Sequence, residues 1–558
     1  MAPTKRIVIN IPDTTAEREL DQARLIVAWW LAIPTVLAVL FCGMFPFDFD
    51  IHPANALSEI HRRFGTTFTK WHLPGDLKQN LVFFFPVGFV LAAVFWPGFR
   101  QPLRKIAVQL AALILCAAAL SAVVEFSQVY LISRDPSLAD IVANTIGAVM
   151  GLAIYLLCGQ FVMRFLARQL IALRRAKNPR LFAIAAGAWL LIAIVAPILA
   201  RNISSLGVWD PGCSLLIGNR PDGLRHWDGL ISNLWLSDAP IDDDQMEQLL
   251  VADKPEKDFH DSLIMAYHFT GVGPYTDASG HCADLVWTPN YGHGAVPGTT
   301  EPSDLTGVAA IGRDGIPISD AWYLSTDEGG AADACNRIMR TGAFTLVIDL
   351  TVGRLNQGDG WPRIFSLSRE RYGCNLEVLQ EHKDLEFRLH CAAAGEDGTY
   401  PDTIVPDIFP STTPQRVVVS YDHGKITVAT DHSGQFYSTQ YSPDAWLVWR
   451  LYPRDYWRYR IDSSGEIVAA AMYRILAMLP VGLLLGALLR ILEEHRPRLL
   501  SQRIFFAVSC GATLLLEASL HWAAGTTFFW VLPIVSLIAV SGGVLVILGH
   551  LPIGRRWV

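Results

Sequence analysis

Long apolar blocks dominate the pattern of this chain, and each is long enough to cross a membrane. Uninterrupted runs of about 20 apolar residues span a bilayer core as helices. The blocks predict membrane helices at residues 25–45, 79–97, 106–131, 138–162, 181–200, 467–489, 504–522 and 527–549. The pattern therefore predicts a polytopic α-helical membrane bundle of eight helices.

A long stretch between the fifth and sixth of these helices has a different pattern. Residues 201–466 contain short alternating runs separated by Gly, Asp, Asn and Pro, without a long amphipathic helix. Such a pattern is typical of an all-β sandwich. The predicted organisation is an N-terminal tail (1–24), a first membrane domain (25–165), a basic loop with the fifth helix (166–200), the β-sandwich (201–466) and three further helices with a short tail (467–558).

Composition agrees with this division and excludes several function classes. Half of the residues, 51%, are hydrophobic and only 17% are charged. The net charge of −7 offers no basic surface for nucleic acid. The sequence contains no Walker loop, no dinucleotide fingerprint, no HExxH and no paired CxxC, so no cofactor is evident from motifs.

The distribution of Lys and Arg predicts how the chain crosses the membrane. Positive residues are retained in cytoplasmic loops. Basic residues precede the first helix, join the second and third at Arg100 and Arg104, and precede the fifth at Arg174 and Arg175. Although the first outer loop is also basic, the other loops together carry more positive charge. We therefore expect both termini in the cytoplasm and the β-sandwich outside.

Polar side chains lie at the outer ends of the second, third and fourth helices. Ionisable groups at membrane depth cost about 2.5 to 3.5 kcal/mol each, so they usually mark a place that binds or reacts. Spacings of three and four put each pair on one helix face. The alternative is that these groups only hold helices together, with Arg134 paired to Asp140. The predicted site comprises Asp76, Asn80, Glu125, Gln128, Arg134, Asp140 and Asn144.

These residues resemble the VanZ-like membrane domain over residues 25–165. The family pattern is a helix ending in Glu-x2-Gln, an Arg turn, and Asp-x3-Asn-x2-Gly. The matching positions are Glu125, Gln128, Arg134, Asp140, Asn144 and Gly147. The resemblance implies a multi-pass protein of the bacterial inner membrane, in a family associated with resistance to the glycopeptide teicoplanin. It supplies no established reaction.

Two segments of the membrane part repeat each other. Residues 80–93 read NLVFFFPVGFVLAA, and residues 474–488 read RILAMLPVGLLLGAL. Glu125 follows the first segment at nearly the distance at which Glu517 follows the second. The three C-terminal helices are therefore predicted to be a degenerate copy of helices two to four, with Glu517 and His521 as a second-copy site. Chance convergence of Leu-rich helices is the alternative.

One hairpin of the outer domain is predicted to the residue. The segment CNLEVLQEHKDLEFRLHC centres on a turn at His382 and Lys383. The predicted pairs are Leu376 with Leu389, Val378 with Phe387, and Cys374 with Cys391. Because the outer compartment is oxidising, opposed cysteines predict a Cys374–Cys391 disulfide. The pairing of Cys213, Cys282 and Cys335 stays open.

Several segments of residues 201–466 resemble the concanavalin A-like, laminin G-like sandwich. They include LIMAYHFTGVGPYTDASGHCADLVW, GAFTLVIDLTV and RVVVSYDHGKITVAT. The strand pair and short helix that usually end this family's domain stand first here, at residues 214–250. The resemblance therefore implies a circularly permuted jelly-roll sandwich.

Many domains of that family bind glycans through aromatic faces, sometimes with Ca²⁺. The aromatic candidates are Trp227, Trp287, Tyr291, Trp322 and Trp361. Each has an alternative role in the core, where Trp is largely buried. Asp277 and Asp284 offer ligands for Ca²⁺, although Asp and Gly are also what a plain turn requires.

The sequence predicts an envelope protein that recognises a glycan or a lipid-linked glycan at the outer leaflet. Its expected partners are membrane lipids and that glycan, with no nucleic acid. Glu125 and Asp140 would accept hydrogen bonds or bind a metal, and Arg134 would hold a phosphate or carboxylate. The alternatives are an enzyme in which Glu125 and Asp140 are the catalytic acid and base, a transporter, and a structural scaffold.

Overall fold

The computed structural model describes most of the chain. The described residues are 14–45, 47, 49, 74–95, 103–131, 136–175, 178–290, 315–357, 360–370, 373–399, 402–432, 434, 436–451, 458–461, 465–493, 498–526 and 528–548. The chain divides into two compact units, 1–182 with 490–495 and 183–489 with 496–558. Each unit is described by itself.

The first unit is helical. Its helices are α1 (Thr14–Met44), α2 (Pro74–Phe95), α3 (Leu103–Gln128), α4 (Leu138–Ile154) and α5 (Gln160–Arg175). A π-helical turn at Tyr155–Gly159 joins α4 to α5. The joined helix therefore runs on beyond the segment 138–162 that the sequence predicts.

Glycines bring the backbones of α2 and α4 into direct contact. A Cβ atom at Gly88 would lie 1.8 Å from the carbonyl oxygen of Ala148. On the facing helix, a Cβ atom at Gly147 would lie 2.3 Å from the carbonyl oxygen of Leu81. Membrane helices associate through such small residues because lipid supplies no hydrophobic driving force between them. This contact fixes how the polar outer ends of the two helices meet.

The second unit combines membrane helices with the β-domain. Its helices, of which the first begins shortly before the unit boundary, are α6 (Pro179–Leu199), α7 (Asp243–Val251), α8 (Glu256–Phe259), α9 (Ala332–Thr341), α10 (Pro443–Trp449), α11 (Gly465–Glu493), α12 (Arg498–Ala518) and α13 (Val531–Leu548). A π-helical turn at Ser519–Ala523 extends α12. Helix α6 is tied to α11 because the Trp189 indole donates to the carbonyl of Ala477 (3.0 Å) and the Tyr473 hydroxyl donates to that of Ala193 (2.5 Å).

Each of the eight predicted membrane segments coincides with a helix. Six of the described helices are long and apolar enough to cross a membrane. The apolar parts of α2 and α13, Asn80–Phe95 and Val531–Ile547, are shorter. The prediction of a multi-pass membrane protein is therefore confirmed. The side of the membrane on which the β-domain lies stays a prediction.

The β-domain is a two-sheet sandwich. Its strands are β1 (Ser214–Ile217), β2 (Gly229–Ser237), β3 (Leu263–His268), β4 (Val286–Pro289), β5 (Ile316–Ile318), β6 (Trp322–Ser325), β7 (Ala343–Val352), β8 (Arg363–Glu370), β9 (Gly373–Glu381), β10 (Asp384–Leu389), β11 (Asp402–Val405), β12 (Gln415–Asp422), β13 (Lys425–Thr430), β14 (Phe436–Gln440) and β15 (Arg458–Arg460). One sheet has the order β15-β11-β10-β9-β8-β1-β6-β4, and the other has β14-β13-β12-β7-β2-β3 with β5 beside β2. The predicted fold class, a helical membrane bundle with a β-sandwich, is confirmed.

The core lies between the sheets. Phe344 of β7 and Phe387 of β10 come from different sheets, and their ring centroids are 6.4 Å apart. Strands β1 and β2 lie inside their sheets, β1 between β8 and β6 and β2 between β7 and β3. The segment that the family resemblance marks as a displaced ending therefore contributes central strands.

The hairpin register is confirmed, but the disulfide prediction is wrong. Leu376 pairs with Leu389 and Val378 with Phe387 in the ladder of β9 and β10. Strand β10 ends at Leu389, and Cys391 instead closes a turn with Gly395. The Cys374 thiol donates to the carbonyl of Asp397 (3.4 Å). All nine cysteines, each among the described residues, are free thiols.

We expect every cysteine of the unreduced, denatured protein to react with iodoacetamide. In the folded protein, Cys374 and Cys391 should react slowly, because burial raises the pKa of the Cys391 thiol to about 11 and that of Cys374 well above its usual value. Mass spectrometry of alkylated peptides, with and without reductant, checks this. Labelling of Cys374 and Cys391 only after reduction would contradict it.

Gly88→Ala should destabilise the first unit. The added methyl must displace the backbone of α4 at Ala148, and overpacking of this kind typically costs about 1 to 3 kcal/mol. Thermal unfolding of the full-length protein in detergent measures the effect. Gly187→Ala in α6 is the matched control, since its added Cβ meets no atom within 4 Å. Equal midpoints for the two variants would contradict the prediction.

Candidate functional site

The polar ends of α2, α3 and α4 meet at one end of the first unit. The Asn80 side-chain amide donates to the Asp140 carboxylate (2.7 Å), which joins the first turns of the apolar parts of α2 and α4. The Glu125 carboxylate, at the end of α3, accepts a hydrogen bond from the backbone N–H of Ser137 (2.8 Å) just before α4. Only 3% of Glu125 is exposed. A buried carboxylate is therefore held against the start of α4.

Asn144 lies one turn deeper than Asp140 on α4. Its amide nitrogen donates to the Ser121 hydroxyl (2.9 Å) of α3, and 2% of the residue is exposed. Its amide oxygen has no hydrogen-bond partner. Buried polar atoms are nearly always paired, so an unpaired acceptor here is unusual and is suited to accept a donor from a water or a ligand.

The other predicted site residues are placed in different ways. The amide of Gln128 donates to the carbonyl of Gly43 (2.8 Å), so this side chain ties α3 to α1. Asp76 lies in the first turns of α2, and its side chain is outside the described residues. Arg134 also lies outside them. The structure therefore brings together Asn80, Glu125, Asp140 and Asn144.

An open apolar groove of about 500 Å³ lies on the neighbouring face of α3. Its lining residues are Phe49, Ala122, Val123, Phe126, Ser127 and Tyr130. Val123 and Phe126 are each 52% exposed, whereas Glu125 between them turns into the helix bundle. The polar site and the apolar groove therefore lie on two different faces of the same turn of α3.

A second polar cluster lies in the second unit and is centred on Arg474 of α11. Its guanidinium donates to the Asp444 carboxylate of α10, which belongs to the sandwich, and to the Glu517 carboxylate of α12 (3.1 to 3.3 Å). Ser536 of α13 donates to Glu517 (2.6 Å). Arg474 and Asp444 are each 1% exposed. One buried cation therefore joins three membrane helices to the sandwich.

Sequence reasoning included Glu517 but missed Arg474 and Asp444. The signal for Arg474 was present, because an Arg within an apolar helix requires a partner. Its partner Asp444 follows Pro443 in a short sandwich helix and looks like an ordinary first-turn carboxylate. The other predicted residue, His521, is exposed, and its ring nitrogen lies 3.2 Å from the carbonyl of Thr526.

The packing of α11 against α13 uses the same positions as that of α2 against α4. A Cβ atom at Gly482 would lie 2.2 Å from the carbonyl oxygen of Val540, and one at Gly88 would lie 1.8 Å from that of Ala148. Arg474 lies as far before Gly482 as Asn80 lies before Gly88. Ser536 and Asn144 each lie one turn before these contact residues. The helix pair α11 and α13 and the helix pair α2 and α4 thus have polar side chains at equivalent positions.

The aromatic candidates of the sandwich differ sharply in exposure. Trp227 is fully buried and donates to Gln380 (2.8 Å), and Trp287 and Trp322 are 9% and 7% exposed. These three have the core role that was the alternative at the sequence level. Tyr291 lies outside the described residues. Trp361, at 42%, has the exposure that a ligand contact requires.

The turn proposed for Ca²⁺ uses its carboxylate internally. Asp277 accepts hydrogen bonds from the N–H groups of Ala266, Ser279, His281 and Cys282 and from the Ser279 hydroxyl, at 2.7 to 3.0 Å. Asp284 is exposed. Among the described residues, no group of three His, Cys, Asp or Glu side chains could hold a metal ion. The hydrogen bonds of Asp277 favour the plain turn, and Ca²⁺ binding in the sandwich stays a prediction.

Arg474→Met should strongly destabilise the protein. It leaves Asp444 and Glu517 as buried charges without their cation, and breaking a buried pair costs about 3 to 5 kcal/mol. The triple variant Arg474→Met, Asp444→Asn, Glu517→Gln should recover much of this loss. Thermal unfolding in detergent measures both. Arg490→Met, at an exposed position of the same helix, is the control. A triple variant as unstable as the single one would refute this account.

A comparison with known protein families supports the predicted resemblance of the first unit to the VanZ-like membrane domain. Residues 32–159 match the model of the VanZ-LLP1 family, described as VanZ/LLP1. No curated protein and no solved structure matches the chain. The concanavalin A-like and laminin G-like resemblance of the sandwich has no such match and stays a prediction. The matched segment contains Asn80, Glu125, Asp140 and Asn144, so these polar residues lie in the part of the chain that is similar to this family.

Proposed function

We propose that this protein recognises a lipid-linked glycan at the outer face of a bacterial membrane. In this proposal the VanZ-like domain binds the part of the ligand nearest the membrane, and the sandwich binds the sugar. The observation that carries the proposal is the meeting of Asn80, Glu125 and Asp140 at one end of the first unit. Buried ionisable groups in a membrane bundle are retained chiefly where they bind or react.

The neighbouring groove supports a ligand with both a polar and an apolar part. Glu125 and Asn144 supply acceptors for hydroxyl groups on the buried side of α3, and Phe126 and Val123 present an apolar surface on the other side. A polyprenyl or acyl chain fits the apolar surface. The unpaired amide oxygen of Asn144 provides an acceptor for a ligand hydroxyl.

The same proposal treats α11, α12 and α13 as a degenerate second copy of α2, α3 and α4. The equivalent glycine contacts and the placement of Arg474, Glu517 and Ser536 support it. In this copy Arg474 fills the position of Asn80, and the sandwich residue Asp444 closes the site. The second copy therefore serves as an anchor for the sandwich, whereas the first copy binds the ligand.

Glu125→Gln should weaken binding of a polyprenyl diphosphate-linked monosaccharide by about tenfold, which corresponds to loss of one charge-assisted hydrogen bond. Binding is measured on the full-length protein in detergent micelles. Polyprenyl diphosphate alone and the free monosaccharide separate recognition of the lipid from that of the sugar. Glu17→Gln, an exposed carboxylate in the first turn of α1, is the matched control.

Equal affinity of the Glu125→Gln variant and the parent protein would refute a ligand role for this carboxylate. Release of the monosaccharide during the same incubation would favour the enzyme alternative, because a binder returns its ligand unchanged. A turnover that disappears in Glu125→Gln while binding persists would assign this residue to general acid or base catalysis.

A further inference from the structure

A second cavity, of about 290 Å³, lies in the sandwich beside Trp361. It is lined by charged and amide side chains, with Arg225, His226, Arg354, Asn356 and Gln357 around its wall. Its volume is near the lower end of the roughly 300 to 1,000 Å³ typical of small-molecule sites. It therefore suits one sugar residue of a glycan.

The wall of this cavity is held in place by hydrogen bonds of Gln357 and Gln380. The Gln357 amide nitrogen donates to the carbonyl of Asp228 (2.8 Å) and to the side chain of Gln380 (2.7 Å), and its oxygen accepts from the Asp228 N–H (3.0 Å). Gln380 also accepts from the buried Trp227 indole (2.8 Å). A binding site fixed in this way loses little conformational entropy when a ligand arrives.

Trp361 is held at the edge of the cavity in an unusual conformation. Its backbone has φ 55°, a region that bulky residues rarely adopt. The Arg225 guanidinium lies 5.3 Å from the ring centroid, and that of Arg388 lies 5.8 Å from it. A strained, exposed aromatic residue that is fixed by two cations has the properties of a binding-site residue, since such strain concentrates at functional positions.

Arg225 lies among other guanidinium groups, of which Arg220 is paired with Asp222, Arg363 with Glu377 and Arg388 with Glu386. Its Nη1 donates to the carbonyl of Gly360 (2.7 Å), whereas its Nε is buried without a hydrogen-bond partner. Burial and the neighbouring guanidinium groups of Arg220 and Arg363 lower the pKa of Arg225. Asp222 offsets part of this positive potential. An anion in the cavity would be attracted to the guanidinium group of Arg225, which is part of the cavity wall.

Arg354 is a second cation in the wall of the cavity. It is paired with Asp228 (3.0 Å) and is 58% exposed, so its guanidinium remains accessible from solvent. Asp359, close by in the sequence, lies outside the described residues. Two guanidinium groups in one cavity suit a carboxylate or a phosphate, because guanidinium donors match the geometry of both groups.

We propose that the cavity lined by Arg225, Arg354 and Asn356, with Trp361 at its edge, binds an anionic residue of a glycan. The anionic group is a carboxylate or a phosphate on the sugar. This inference rests on the proposed function and specifies its ligand as acidic. It assigns the sugar-binding role to Trp361 rather than to the buried Trp227, Trp287 or Trp322.

The test measures binding of the full-length protein in detergent to trigalacturonic acid and to glucose 6-phosphate, with methyl-esterified trigalacturonate and glucose as uncharged counterparts. The acid that fits should bind at least about tenfold more tightly than its counterpart, and the better of the two identifies the anionic group. Arg225→Gln and Arg354→Gln should each reduce that affinity by about tenfold. Trp361→Ala should weaken binding of both the charged and the uncharged form.

The matched control is Arg369→Gln, since Arg369 is also half-exposed and ion-paired, to Glu328 (2.8 Å), but lies outside the cavity. Equal binding of charged and uncharged sugars, or affinities that Arg225→Gln and Arg354→Gln leave unchanged, would overturn the inference while leaving glycan recognition in place. Failure of all four probes to bind would overturn it as well. The proposed function is then judged separately by the Glu125→Gln assay, which does not involve this cavity.

Discussion

A polar side chain between apolar helices must find its partners within the protein, because lipid offers none. The side chains of Asn80, Glu125 and Asp140 obey this constraint, whereas the amide oxygen of Asn144 has no hydrogen-bond partner. In the second unit the same constraint is met by Arg474, whose charge is balanced by Asp444 and Glu517. The pairing of buried polar groups thus determines how these helices are arranged. It also determines how the sandwich is attached to the helices of its own unit.

Close backbone contact is what makes this pairing possible. Gly88 and Gly147 let α2 and α4 touch, which brings Asn80 within 2.7 Å of Asp140. Gly482 does the same for α11 and α13, and Ser536 of α13 donates to the Glu517 carboxylate of α12. A side chain at any of these glycines would separate the helices and leave the polar groups unpaired. The small residues therefore serve the polar site as much as they serve the packing.

Sequence patterns predicted the helices and strands of this protein well. The disulfide and the exposure of the aromatic residues depend on tertiary packing, which those patterns do not show. The hairpin of β9 and β10 was predictable because a tight turn fixes the register of the strands that it joins. The disulfide was not, because the chain leaves the ladder after Leu389 and Cys391 enters a turn. Likewise, five aromatic residues looked equivalent in the sequence. Burial of Trp227 and exposure of Trp361 depend on contacts with Gln380, Arg225 and Arg388 that lie far apart in the chain.

The comparison of Asn80 with Arg474 suggests why only one of the proposed copies would bind a ligand. Arg474 has a fixed charge and a long side chain, and it reaches the carboxylates of both α10 and α12. Its site is filled by the protein's own groups, which favours a permanent attachment. Asn80 is short and neutral, and its amide donates one hydrogen bond to Asp140. The unpaired amide oxygen of Asn144 leaves an acceptor at this end of the first unit for a hydroxyl group of a ligand, which is the property that the proposed function requires.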